Sequence, residues 1–68
     1  MISYAIWSKR YDEFIHPLDN LFTTRKQPLL YSTLNEAVVE LRNFNKFNKG
    51  LYTDWDATIK PIKFEMLE

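Results

Sequence analysis

Cysteine is absent from the 68 residues, and the chain has a single histidine and a single glycine. Without thiols no disulfide can form, and a tetrahedral zinc site, which wants about four Cys or His ligands, has too few donors. An excess of charge is missing as well, because nine Lys and Arg balance nine Asp and Glu for a formal net charge of zero. That removes the strong basic surplus that usually accompanies sequence-independent nucleic-acid binding. No apolar run approaches the ~18 residues of a membrane span. The opening Met1-Ile2-Ser3-Tyr4 has no basic segment followed by a signal-peptide core. A reducing, cytoplasmic setting without membrane contact is the expectation.

Apolar residues make up 46% of the chain and aromatic ones 16%, too much for a disordered segment. Residues 1–68 are therefore expected to fold as one small α+β domain with room for one core and little room for a catalytic cleft. A single core of this size contributes only about 3 to 5 kcal/mol. With disulfides and zinc excluded, further stabilisation would come from association.

From Ile2 to Trp7 almost every side chain is apolar, with Ile2, Tyr4 and Ile6 on one face and Ser3, Ala5 and Trp7 on the other, which predicts a strand. His16-Pro17-Leu18-Asp19-Asn20 reads as a turn-rich loop. Leu21–Thr24 and Pro28–Ser32 read as one irregular second strand, broken near Pro28. Thr33-Leu34-Asn35-Glu36 is a capping-box start to a helix. Leu34, Ala37, Val38, Leu41 and Phe44 follow on one stripe, and Gly50 is placed to end it.

Beyond Gly50, Trp55, Ala57 and Ile59 alternate with polar residues, and then Ile62, Phe64 and Met66 do so one residue out of phase. Pro61 sits at the slip, which predicts a bulged edge strand. The expected architecture is ββαβ: a three-stranded antiparallel sheet of order 2-1-3 with one helix on one face. Three strands and one helix leave a sheet face bare, and that face is the first place to look for a partner.

Two groups of residues are candidates for contact. Tyr52, Asp54, Trp55 and Asp56 place two carboxylates around an indole, a combination suited to a protein partner, because Tyr and Trp are favoured anchors and neighbouring acids steer toward a basic surface. As a strand start, the same group would bury Trp55 and leave both aspartates in water. Trp7, Lys9, Arg10, Arg25 and Lys26 combine cations with a flat ring, as a nucleic-acid surface does. That holds only if folding gathers them; otherwise they are a solvated strand end and a loop.

His16 near Asp12, Glu13 and Asp19 has the residue types of acid–base chemistry but not a shielded pocket. No glycine-rich phosphate loop, metal-ligand pair or elbow serine accompanies it. The reading is non-enzymatic, with no catalytic residues, no cofactor and no metal.

The Tyr4-Ala5-Ile6-Trp7 strand, the helix entered through Ser32-Thr33-Leu34-Asn35-Glu36-Ala37 and the closing Ile59-Lys60-Pro61-Ile62-Lys63-Phe64-Glu65 resemble small accessory proteins encoded by bacteriophages and prophages. Some of these bind and inhibit a host enzyme or defence system. The resemblance implies a protein-binding module acting on a host protein in the host-cell cytoplasm. A nucleic-acid-binding module and a self-associating subunit are the alternatives.

Overall fold

The computed structural model describes residues 1–19, 21–47 and 55–63. The elements run β1 (Ile2–Ser8), β2 (Glu13–Leu18), β3 (Leu21–Arg25), α1 (Leu34–Phe47) and β4 (Ala57–Lys63). The strands form one sheet of order β3-β2-β1-β4 in which every neighbouring pair is antiparallel. This corrects the expected three-stranded sheet of order 2-1-3. The extra strand is β2, which occupies the segment read as a loop. Pro28–Ser32 is not a strand; only Tyr31 bridges to β1, opposite Tyr4.

The prolines explain why β2 escaped recognition. Leu18 pairs with Leu21 where β2 and β3 meet, and Pro17 lies opposite Phe22. The Tyr4–Tyr31 bonds turn the backbone groups of Trp7 toward β4 and so those of Phe14, opposite it, toward β3; by alternation the position where Pro17 lacks its N–H faces β1. There β1 makes no demand, because its pairing with β2 is confined to Trp7–Phe14 and Ser8–Glu13. Proline is harmless at that point of an interior strand.

Where β2 turns away, Tyr31 takes its place. The Tyr4 N–H donates to the Tyr31 carbonyl at 2.9 Å, and the Tyr31 N–H donates back at 2.7 Å. With both backbone groups of Tyr4 engaged on that side, the Tyr4–Pro61 pair of β1 and β4 must be non-hydrogen-bonded. Pro61 then presents its missing donor to the free edge of the sheet. The register runs from Ile2–Lys63 to Ser8–Ala57 without interruption, which corrects the expected bulge. The phase slip is carried by an unbroken strand whose Ile59 and Ile62 lie on opposite faces, both half-buried.

Helix α1 starts at the expected residues, with the Thr33 half of the capping box formed and the Glu36 carboxylate bonded to hydroxyls instead of to the Thr33 N–H. The Glu36 N–H donates to Thr33 Oγ1 at 3.2 Å, and the Glu36 carboxylate accepts from the Thr33 and Ser32 hydroxyls at 3.2 and 2.9 Å. The expected stop at Gly50 lies outside the described residues. Along the stripe Ala37 and Phe44 are buried, whereas Leu34 in the first turn is half exposed. Ile6, Ile15 and Phe44 form the core, flanked by Phe22, Tyr31, Leu41, Trp55 and Ala57. The helix therefore covers the face of β1 that carries Ile6 and Ser8.

Ser8 is fully buried. Its hydroxyl donates to the Trp55 carbonyl at 2.6 Å and accepts from the Tyr11 N–H at 3.2 Å. It thus ties the β1–β2 turn to the segment that leads into β4. Three aspartates, Asp12, Asp19 and Asp56, hold φ values of 53°, 51° and 52° at the turns beside the strands. A chain with one glycine assigns these left-handed positions to Asp, which tolerates them better than most residues.

Ser8→Ala removes the partner of a part-buried carbonyl and a part-buried amide, and is expected to cost about 1 kcal/mol in urea denaturation. Asp19→Ala is expected to cost about 1 kcal/mol at its left-handed position, while Asp19→Gly is neutral or slightly stabilising.

Candidate functional site

Side chains alternate along each strand, so the residues opposite the core are fixed once Ile6 and Ile15 are known to face it. They are Ser3, Ala5 and Trp7 of β1, Phe14, His16 and Leu18 of β2, Leu21, Thr23 and Arg25 of β3, and Thr58, Lys60 and Ile62 of β4. Strand register arranges four of them in a row across the whole sheet, Arg25–Phe14–Trp7–Thr58. Trp7 and Phe14 are half-buried, and Arg25, Thr58 and Lys60 are exposed. The Lys60 ammonium lies 4.5 Å from the centre of the Trp7 ring, a cation–π contact worth about 0.5 to 1 kcal/mol in an exposed setting.

No strand residue of this face is Asp or Glu. The nearest acid along β4, Asp56, stands just before the strand. The described helix lies on the other side. Part of the face is nonetheless crossed by chain: His16 Nε2 meets the Gln27 carbonyl at 2.6 Å, and since a carbonyl can only accept, the imidazole donates. The connection from β3 to Tyr31 therefore passes over β2 at the level of His16, away from the row that holds Trp7.

The two sequence-derived groups fare differently in their placement. Trp7 lies at the centre of the row and Arg25 at its end, with Lys26 following. Lys9 and Arg10 occupy the turn after β1, where the Arg10 guanidinium stands 5.7 Å from the Tyr11 ring. Of the other group, Tyr52 and Asp54 lie outside the described residues. Trp55 is half-buried, packed against the core, 5.7 Å from Phe44 and edge-on to Tyr11 at 5.5 Å. Asp56 is exposed.

Phe14, Thr58 and Lys60 complete the uncovered row and escaped the sequence reading. Lys60 was accessible to it, since alternation places Lys60 opposite Ile59. Phe14 was not, because its strand was taken for a loop.

The His16 grouping disperses. Asp12 and Asp19 lie at opposite ends of β2, and Glu13 points to the other face of the strand. Among the described residues no three His, Cys, Asp or Glu side chains gather as metal ligands would. No described helix is long and apolar enough to cross a membrane.

Among the described residues Tyr31 is the perturbed titratable group. Its hydroxyl is buried without a hydrogen-bond partner among the described residues. Burial, reinforced by the Glu40 carboxylate, pushes its pKa up to about 12. The phenol serves the core and is held neutral. Comparison with protein-family models, curated proteins and solved structures gives no match to the chain.

The raised value has a definite sign. Neutral Tyr31 favours the folded state fully below the ordinary tyrosine value of about 10, and that contribution is lost as pH rises toward about 12. Urea midpoints are expected to fall across this window and to fall less in Tyr31→Phe, which also relieves a buried hydroxyl and should be no less stable at neutral pH.

Proposed function

We propose that this chain is a non-enzymatic binding module that engages nucleic acid through the part of its sheet face, opposite the helix, that carries Trp7. One observation carries the reading: the row Arg25–Phe14–Trp7–Thr58, with Lys60 over the indole, joins two rings on the two interior strands to two cations, on a strand surface without a carboxylate. Rings stack on bases and cations meet phosphates. A net charge of zero does not oppose this, because electrostatic attraction acts over about 10 Å at ordinary ionic strength and responds to the local surface. Lys9 and Arg10 lie in the turn after β1 and Lys26 follows Arg25, with Asp12 and Asp56 at the same end as the turn.

A protein partner is the rival class. It would be contacted through Tyr52, Asp54, Trp55 and Asp56, in keeping with the likeness to phage accessory proteins that block a host protein in the cytoplasm. The exposed Tyr11, edge-on to Trp55, favours that surface, as does the exposed Asp56 that follows Trp55 in the chain. The Trp7 row is the stronger candidate, because the Trp55 indole and carbonyl are both already engaged inside the domain.

Tryptophan fluorescence titrated with oligonucleotides at low salt tests the proposal. Saturable quenching is expected, and Trp7→Ala should weaken binding about tenfold to a hundredfold, in line with about 1 to 3 kcal/mol for a stacked base. No binding to either single-stranded or duplex oligonucleotide would contradict it.

A further inference from the structure

We infer that the face takes unpaired nucleic acid two bases at a time, one on Trp7 and one on Phe14, with Arg25 and Lys60 on the flanking phosphates. This rests on the reading just given and adds the ligand's form and length.

The number two follows from what borders the row. Trp7 and Phe14 are directly opposite each other. The backbone groups of Trp7 point toward β4, because Tyr4, three residues earlier, points the other way and strand residues alternate. Trp7–Phe14 is thus a non-hydrogen-bonded pair, the kind in which Cα atoms approach to about 4.5 Å and side chains stand closest. On one side the next level of the face holds His16, tied to the Gln27 carbonyl, and Ala5, which is fully buried. Ala5 has no ring, and the His16 imidazole is held to that carbonyl by the crossing chain, which closes the surface there. On the other side the strands end in the Lys9–Asp12 turn and at Asp56. The ring in that turn, Tyr11, stands edge-on to Trp55, which packs against the core, so among the described residues a third base finds no free ring beside the row.

The same geometry selects unpaired strands. A ring held against a flat sheet cannot reach the face of a base inside a duplex, where both faces are taken by neighbouring bases. An unpaired base has a face to give. Lys60 now occupies the space over the Trp7 ring at 4.5 Å. A base stacking there displaces the ammonium, which remains on a flexible stem within reach of the adjoining phosphate. Arg25 does the same from the far end of the row.

Two phosphate contacts give a slope of log affinity against log salt of about −1.4, at roughly 0.7 per contact for single strands. The experiment is a set of fluorescence titrations with a thymidine dinucleotide, tetranucleotide and octanucleotide, and a hairpin duplex, over a salt series. It uses the wild type and the surface variants Lys60→Gln and Arg25→Gln, with circular dichroism confirming their fold.

Affinity per site is expected to level off at the tetranucleotide, with the octanucleotide gaining only from added registers and the duplex at least tenfold weaker. Each variant is expected to lower the slope by about 0.7. Duplex binding as tight as single strand, affinity that keeps climbing with length, or unchanged slopes in both variants would overturn this inference while leaving nucleic-acid binding in place. If no oligonucleotide binds, both fall together.

Discussion

Strand β1 is bonded on both sides and divides its residues between them. Ser3, Ala5 and Trp7 direct their backbone groups to β4, while Tyr4 gives both of its groups to Tyr31 and Ser8 accepts from Asp12 on the same side. Side chains follow the same alternation, so Ile6 and Ser8 go to the helix and Trp7 goes to the opposite surface. The remaining features follow from this division. Pro61 is tolerated because β1 asks nothing of its nitrogen, and β2 can leave the sheet early because Tyr31 satisfies Tyr4 in its stead. Trp7 is left beneath a lysine rather than beneath the helix.

A domain this small has few apolar side chains to enclose, and only Ala5, Ile6, Ile15, Ala37 and Phe44 are buried apolar residues among those described. Its organisation depends correspondingly on a few specific bonds. Ser8 is a polar residue at the centre of the packing, yet both of its hydrogen-bond roles are filled. Such a group fixes the mutual position of two segments far apart in the chain more sharply than another methyl group would. The edge-on contacts of Phe22 with Phe44 at 5.0 Å and of Tyr11 with Trp55 at 5.5 Å extend the order outward from it.

How much of this was legible in the sequence depended on whether the determining interaction was local. The helix start was readable because Thr33 and Glu36 satisfy each other within one turn, and β1 because its apolar run is continuous. Strand β2 was not, since its Pro17 is harmless only where a neighbouring strand happens to be absent, a fact of tertiary arrangement. The phase change at Pro61 resembled a bulge because one buried face was assumed; the strand in fact places Ile59 and Ile62 on opposite surfaces. The role of Ser8 inside the packing was not legible, because its partner, the Trp55 carbonyl, lies 47 residues away. Of the candidate site, Trp7 and Arg25 were identified as residues, but only the β1–β2–β3 register aligns them, with Phe14 between.

The account stands on the claim that the surface opposite α1 is the one that meets the ligand. A backbone and side-chain chemical-shift map of isotope-labelled protein during addition of a short single-stranded oligonucleotide tests it most directly. Shifts concentrated at Trp7, Phe14, Arg25, Thr58 and Lys60, with Ala37, Leu41 and Phe44 unmoved, are the predicted result. Shifts concentrated at Tyr11, Trp55 and Asp56, or spread without regard to face, would contradict it.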